Sequence, residues 1–197
     1  MTDLRNRLLT ALGGEGAGSS DFDLNPDVVL PEDRKLRDAG VLIAIKPGTE
    51  PSVLLTKRAS GLKHHPGQIA FPGGKVDPTD ADVVAAALRE ASEEVGLSPD
   101  NVDILGCLPS HETVTGFTVT PVLAFIRDDF DPIPERGEVE EVFSVPLAHV
   151  LATTKYAVEY RRWRGQRRYY YIVPYGPYYI WGATARILRA LAERMQA

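Results

Sequence analysis

The chain of 197 residues is 44% hydrophobic and 25% charged, with a net charge of −5, values that are ordinary for a soluble globular protein with one sizeable core. A general nucleic-acid binder is normally basic, and no apolar run approaches the length of a membrane-spanning helix, so we expect neither nucleic acid nor a membrane as partner. The single cysteine, Cys107, excludes an intrachain disulfide and favours a reducing, cytoplasmic location; its apolar neighbours predict a buried thiol.

Residues 1–30 are predicted to form an N-terminal helix and a flexible linker, ahead of a single domain at 31–197. Leucines share one face of the segment 2–12, as in a short amphipathic helix. The run GGEGAGSS at 13–20 has the composition of a linker. We assign no chemistry to this part of the chain, and packing across a homodimer interface is the one use that we consider for it.

Three strands are predicted in the next part of the chain. The first two, at 41–45 and 53–56, are joined by a turn at Pro47-Gly48, and a short third strand covers 68–71. The third strand leads directly into a pair of glycines.

A helix is predicted within the stretch 73–97. Its second half carries three carboxylates that share one side, those of Glu90, Glu93 and Glu94. Positions three and four apart lie on the same face of a helix, so an apolar stripe on another face can be buried while the acids point into a cleft. Thr79 with Asp82 predicts a capping box, and Gly96 suits the left-handed residue that ends a helix.

These carboxylates indicate a metal site, with a solvated acidic helix face as the alternative. Three such groups repel one another unless a cation lies among them, and hard oxygen donors suit Mg²⁺ or Mn²⁺ better than zinc. Acids near a helix C-terminus also oppose the helix dipole, a cost that a bound metal offsets. The Gly73-Gly74 pair ahead of the helix permits a ligand to approach the backbone closely.

The remaining elements are strands at 102–108 and 119–126, a hairpin over 156–173 and a final helix over 180–195. Pro121 suggests an edge position or a bulge for its strand. Arginines and aromatics interleave in the hairpin, and strand alternation explains that pattern better than a nucleic-acid surface does. The order of strands and helices predicts an α/β fold, namely an α/β/α sandwich with a mixed central sheet.

The acidic helix resembles the Nudix box of the Nudix hydrolases, G-x5-E-x7-R-E-U-x-E-E-x-G-U, with U an aliphatic residue. The second half of the box is matched by Arg89, Glu90, Glu93, Glu94, Gly96 and Leu97, with Ala91 in place of a bulkier aliphatic residue. The first half departs from the pattern. Counted from Gly74, the first acid position holds Asp80, and eight residues rather than seven separate it from Arg89. The box is one residue longer, which leaves the role of Asp80 open.

Other segments resemble the coenzyme A pyrophosphatase branch of this family. They are 54–58 with 65–74 upstream of the box, and 116–121 with 181–185 downstream. This resemblance implies the sandwich fold described above. It also implies Mg²⁺- or Mn²⁺-dependent hydrolysis of coenzyme A or an acyl derivative to 4′-phosphopantetheine and adenosine 3′,5′-bisphosphate.

The resemblance also implies roles for individual residues. The metal ligands would be Glu90 and Glu94, with Glu93 as a further ligand or beside them. Arg89 would hold a glutamate in place. The general base is left open among Glu93, Glu90 and an acid from the loop before residue 142, for which Glu138 is the first choice and Glu141 the second. Substrate contacts are assigned to Lys57, Arg58, Lys63, His65, Gly73 and Gly74. For the basic residues among them, solvated surface charge is the alternative.

Two other functions stay open. One is a Nudix enzyme that acts on ADP-ribose, NADH or another dinucleotide, or an oxidised nucleotide; the branch-like upstream segments argue against it. The other is a Nudix-fold binding module without catalysis. Such a module would be marked by the loss of a box glutamate, and all three are present.

Overall fold

The computed structural model describes residues 2–14, 17–31, 33–63, 65–163 and 165–196. The helices are α1 Thr2–Gly13, α2 Val83–Val95, α3 Leu147–Leu151 and α4 Gly182–Arg194. The strands are β1 Ser19–Ser20, β2 Arg37–Lys46, β3 Ser52–Arg58, β4 Ile69–Ala70, β5 Gly73–Lys75, β6 Val102–Cys107, β7 His111–Glu112, β8 Phe117–Ile126, β9 Val139–Pro146, β10 Ala157–Trp163 and β11 Gln166–Ile172. Single 3₁₀ turns cover Pro99–Asn101 and Thr153–Lys155.

The described residues form a nine-stranded mixed sheet and a separate two-stranded hairpin. The pairs β1–β7 and β2–β8 are parallel, whereas β2–β3, β3–β9 and β6–β8 are antiparallel. Helix α2 covers one face of the sheet, and α1, α3 and α4 cover the other. The predicted α/β/α sandwich with a mixed central sheet is therefore confirmed.

Strand β2 shows how the sequence builds these layers. Successive side chains of a strand point to opposite faces. Accordingly, Leu42 and Ala44 pack in the core beneath α2, whereas Ile43 and Ile45 pack in the core beneath the other helices. A strand buried on both faces reads as a continuous apolar run, which is why the sequence predicted only the middle of β2 as a strand.

The sheet opens between β2 and β3, and this opening positions the functional site. The two strands are in register only at Ile45–Lys46 and Ser52–Val53. Beyond that point β4 pairs with β3, and β5 pairs with β2. The chain from β4 to β5 thus passes between the two diverging strands, directly beside the predicted acidic helix.

Two sequence expectations are wrong. Pro121 lies neither at an edge nor at a bulge. It is inside β8, between β2 on one side and the chain around Leu108 on the other, whose N–H its carbonyl accepts at 2.9 Å. That contact needs only the proline carbonyl, so the missing N–H breaks no bond there. Cys107 is exposed rather than buried, because it is the last residue of β6.

The N-terminal part of the chain contacts the rest of the protein. Leu8 of α1 is buried in the core, as the amphipathic pattern predicted, and Ala11 is buried beside it. Leu9, which was expected on the same face, is exposed. Part of the predicted linker forms β1, which pairs with β7. The imidazole of His111 is fully buried there; its Nδ1 lies 2.9 Å from Ser19 Oγ and its Nε2 lies 3.2 Å from Asp21 Oδ1. The division at residue 30 stays a prediction.

The hairpin β10–β11 has two unlike faces. Arg161 lies over the rings of Tyr170 and Trp181, with its guanidinium carbon 4.4 Å from the centroid of Trp181. Its neighbour Arg162 is exposed and, by strand alternation, points to the other face. Arg164, part of the same basic cluster, lies outside the described residues. Among the described residues no helix combines the length and apolar character needed to span a membrane.

Candidate active site

Helix α2 carries the three box glutamates and has well-defined ends. It begins after Asp82, whose side chain accepts a hydrogen bond from the Ala85 N–H at 2.8 Å. The capping box predicted between Thr79 and Asp82 is therefore wrong, since Asp82 is itself the N-cap. Gly96 ends the helix with φ 72°, in the left-handed conformation that was predicted.

The three glutamates are exposed to different extents. The side chain of Glu93 is 58% exposed and that of Glu90 is 19% exposed, whereas Glu94 as a whole is 5% exposed. The Gly73 N–H donates to Glu94 Oε2 at 3.1 Å. Burial raises the pKa of Glu94 to about 7, and the nearby charge of Glu90 acts in the same direction. Burial also raises the pKa of Glu90.

Gly73 and Gly74 are glycines because protein groups approach them closely. A Cβ on Gly74 would lie 2.3 Å from Glu90 Oε1. Gly73 has φ 151°, and a Cβ there would lie 2.4 Å from the carbonyl oxygen of Gly40. We expected a ligand against this backbone. The structure places Glu90 and strand β2 against it, so the glycines leave room for the carboxylates, and a substrate contact at Gly73 or Gly74 stays a prediction.

Arg89 links the helix to the turn that precedes it. Its Nη1 donates to Glu90 at 3.1 Å and to Glu93 at 3.0 Å. Its Nε and Nη2 donate to the two oxygens of Asp80 at 2.9 and 3.0 Å. Hydrogen bonds to Asp80 raise the pKa of Arg89 further above its ordinary value, and those from Arg89 lower the pKa of Asp80. Asp80, whose role the sequence left open, thus positions the arginine that orients two glutamates.

The acidic loop before β9 is tied to the end of α2. Ile133 N–H donates to the Val95 carbonyl at 3.0 Å, and Glu135 N–H donates to the Glu94 carbonyl at 2.9 Å. The loop brings exposed Glu138 close enough for its charge to raise the pKa of both Glu90 and Glu94. The role of Glu138 as general base stays a prediction.

Glu141, the second choice, is engaged elsewhere. Its Oε1 accepts a hydrogen bond from the Tyr178 hydroxyl at 2.6 Å. It also lines a cleft whose wall includes none of the glutamates of α2.

The donor set around α2 fits a hard divalent cation. In the part of the chain that is described, no group of three or more His, Cys, Asp or Glu residues already has the arrangement of a metal cage. The carboxylates of α2 are engaged by other groups, because Arg89 bridges Glu90 and Glu93 and a backbone N–H donates to one oxygen of Glu94. The charge of Glu90 nevertheless raises the cost of ionising Glu94. A cation between them would favour both carboxylates, and oxygen donors suit Mg²⁺ or Mn²⁺.

The predicted basic residues lie at three different places. Arg58 is near the acids, since its charge lowers the pKa of Glu94. Lys57, the preceding residue, is paired with a different acid, and its Nζ is 2.6 Å from Glu140 Oε1. Lys63 is exposed and does not line the cleft. The structure therefore brings only Arg58 of this group to the carboxylates.

The cleft beside β3 has a volume of about 560 Å³. It is lined by Lys57, His65, Pro66, Gly67, Gln68, Ile69, Glu141, Arg161, Pro177, Tyr178, Tyr179 and Trp181. His65, a predicted substrate contact, lies on its wall with φ 54°. The predicted site residues did not include Arg161, Tyr178 or Tyr179. The aromatic run YYYIVPYGPYYIW at 169–181 was the available signal.

The chain is similar to known proteins both in sequence and in fold. The NUDIX domain family matches residues 35–164. The uncharacterized Nudix hydrolase NudL of Cronobacter sakazakii is 47% identical over 156 residues, which cover 79% of this chain and 81% of that protein. NudL of Salmonella heidelberg is 43% identical over 173 residues, which cover 88% and 90%.

Two solved structures share the fold with a TM-score of 0.52 each. The NUDIX domain of Shewanella oneidensis NrtR, complexed with ADP ribose, is 16% identical, and the match covers 89% of this chain and 97% of that one. A NUDIX hydrolase from Alicyclobacillus acidocaldarius is 20% identical, with coverage of 84% and 97%. At these identities the likeness concerns the fold alone.

Proposed function

Because this chain belongs to the Nudix hydrolase family and is therefore a diphosphatase, we propose that its substrate is coenzyme A or an acyl derivative. One observation carries the proposal. Three of the four segments that resemble the coenzyme A pyrophosphatase branch contribute to the same cleft, through Lys57, through 65–69 and through Trp181. Segments far apart in sequence that converge on one cleft are the arrangement expected of residues that recognise a substrate.

Cleavage is assigned to the carboxylates of α2 and the residues around them. A divalent cation held by Glu90 and Glu94 would supply charge neutralisation at the diphosphate and activate the attacking water. Arg89, held by Asp80, keeps Glu90 and Glu93 in position. Arg58, whose charge acts on Glu94, would contact a phosphate oxygen.

The base is assigned by exposure. Glu93 is the most exposed of the three helix carboxylates, so it is the first candidate to take the proton of the water, and Glu138 is the second. The water oxygen bonds to phosphorus as the bridging P–O bond breaks. The electron pair of that bond leaves with the departing phosphate. The products are 4′-phosphopantetheine and adenosine 3′,5′-bisphosphate.

A substrate panel tests this proposal. Purified protein with Mg²⁺ or Mn²⁺ is expected to cleave coenzyme A faster than ADP-ribose, NADH or an oxidised nucleoside triphosphate, with products identified by mass. Preference for one of the latter would overturn the coenzyme A assignment and keep the diphosphatase. No cleavage of any diphosphate with either metal would indicate a non-catalytic module.

The metal assignment has its own test. Glu94→Gln is expected to lower turnover on the order of 100-fold at saturating metal, because the ligand charge is lost while the side-chain shape is kept. Exposed Glu50→Gln, on the β2–β3 turn, serves as the matched control and should retain full activity. Near wild-type turnover of Glu94→Gln at saturating Mg²⁺ would show that Glu94 is not a ligand.

A further inference from the structure

Among the described residues that line the cleft beside β3, Arg161 is a cation without a carboxylate partner. Lys57 is paired with Glu140. The Arg161 guanidinium contacts only rings, those of Trp181 and Tyr170, and no carboxylate of the described residues lies within ion-pair distance of it. A guanidinium that lies over aromatic rings keeps N–H groups that can donate to a planar or tetrahedral anion.

The wall also carries Tyr178, Tyr179 and Trp181, and both tyrosine hydroxyl groups are already engaged. Tyr178 donates to Glu141 at 2.6 Å and stacks on Phe143 with ring centroids 3.6 Å apart. Tyr179 donates to Glu159 at 2.5 Å. Since these contacts fix the rings, the wall offers a rigid aromatic surface of the kind on which nucleobases stack. Glu141 adds an acceptor for a donor such as the exocyclic amine of a purine.

We propose that this cleft binds the nucleoside end of the substrate, with the purine on the aromatic wall and the phosphate monoester of the ribose on Arg161. This assignment rests on the proposed coenzyme A substrate, whose nucleoside carries such a monoester. The pantetheine and acyl end fits the cleft less well. Lys57, Glu141 and Arg161 would have to lose water against a chain that offers amides and a hydroxyl but no charge to pair with theirs.

The position of the cleft is compatible with cleavage at the carboxylates of α2. Lys57 lines the cleft, and Arg58, the next residue of β3, acts on Glu94. The two places therefore border adjacent residues at the end of one strand. A substrate whose diphosphate lies near Arg58 extends its nucleoside past the end of β3 into the cleft.

The first test measures binding without catalysis. Isothermal titration of the metal-free full chain is expected to show tighter binding of adenosine 3′,5′-bisphosphate than of AMP. Arg161→Ala should weaken bisphosphate binding about 10- to 100-fold, as expected for the loss of charge-assisted hydrogen bonds, and should leave AMP binding nearly unchanged. Arg162→Ala, on the outer face of the same strand, is the matched control and should bind both ligands as the wild type does.

The second test uses turnover. Wild type should have a higher kcat/KM for coenzyme A than for dephospho-coenzyme A, and Arg161→Ala should abolish this preference mainly through KM. Arg161→Gln, which keeps the length but not the charge, should behave like Arg161→Ala. Circular dichroism should show that all variants are folded.

The outcomes separate this inference from the proposed function. Equal binding of bisphosphate and AMP to wild type, or equal loss in Arg161→Ala and Arg162→Ala, would overturn the cleft assignment while coenzyme A hydrolysis stands. Competition by 4′-phosphopantetheine that is lost in Arg161→Ala would overturn it by placing the other end of the substrate there. If bisphosphate binding depends on Arg161 but the protein does not cleave coenzyme A, the assignment of the cleft would stand and coenzyme A would be excluded as the substrate.

Discussion

Asp80 accepts two hydrogen bonds from Arg89, one on each carboxylate oxygen, at 2.9 and 3.0 Å. The side chain of Asp80 is 5% exposed, and one of its oxygens also accepts the Asp77 N–H at 2.8 Å. The remaining nitrogen of Arg89 contacts Glu90 and Glu93. A residue in the turn before the helix thereby fixes the orientation of side chains in its last turns.

Asp80→Ala is expected to lower turnover about 10- to 100-fold, the range typical for partners that orient metal-site residues. The physical reason is that Arg89 would no longer be held by Asp80, and therefore would no longer align Glu90 and Glu93. The metal concentration needed for half-maximal activity should rise as well. Steady-state kinetics across a Mg²⁺ titration measures both effects. Exposed Asp100→Ala is the control. Unchanged kinetics in Asp80→Ala would show that Arg89 needs no such support.

Gly74→Ala is expected to lower turnover on the order of 100-fold, because a Cβ 2.3 Å from Glu90 Oε1 must displace the carboxylate. Gly61→Ala is the matched control, since nothing lies within 4 Å of a Cβ at that position. The two variants are compared by kcat and by thermal unfolding. Full activity of Gly74→Ala would mean that Glu90 tolerates displacement and is not essential.

The stability of the metal-free protein should depend on Glu94. Its pKa rises from an ordinary 4.5 to about 7 on folding, so the folded state holds this proton more tightly than the unfolded state. Below pH 4.5 Glu94 is protonated in both states and does not change the free energy of unfolding. As the pH rises from 4.5 towards 7, its ionisation in the unfolded state lowers the free energy of unfolding.

Glu94→Gln removes this dependence. In chelator, the variant should gain about 1–3 kcal/mol over wild type between pH 5 and pH 8, measured by urea unfolding. Adding Mg²⁺ at pH 8 should stabilise wild type and not the variant. A constant difference between the two proteins across this pH range would contradict the perturbed titration of Glu94.

The basic residues near the end of β3 should differ in their effect on KM. We expect Arg58→Ala to raise KM most, because Arg58 acts at Glu94, and Lys57→Ala to raise it less, because Glu140 already neutralises Lys57. Exposed Lys63→Ala should have the smallest effect. Contacts made equally in ground and transition state change KM more than kcat. If all three variants have the kinetics of the wild type, these residues are ordinary surface charges.

Local patterns in the sequence predicted the elements, and contacts between distant residues decided the site. The periodicity of α2 and the C-terminal Gly96 were sufficient to predict which side carries the acids. No local pattern reports that Gly74 lies against Glu90, because that contact depends on how β5 pairs with β2. For the same reason the paired aspartate of Arg89 was not predicted.

The aromatic cleft escaped prediction for a related reason. Tyr178 and Lys57 belong to segments that only the completed sheet and hairpin bring together. Taken alone, each segment has the pattern of ordinary strand or loop residues. The resemblance to the coenzyme A branch pointed to Trp181 and His65 as sequence motifs, without indicating that they line one wall.

The contact between the first and last helices constrains how the chain acquires its structure. Arg194, near the end of α4, donates to the carbonyls of Ala11 and Gly14 at 3.2 and 2.8 Å, across a sequence separation of 183 and 180 residues. Likewise β1 pairs with β7, and Ser19 is 92 residues from His111. Contacts of such separation form slowly, since a long loop must close before they stabilise anything. On the ribosome, α1 can complete these contacts only after α4 has emerged, so we expect the N-terminal arm to dock late in synthesis.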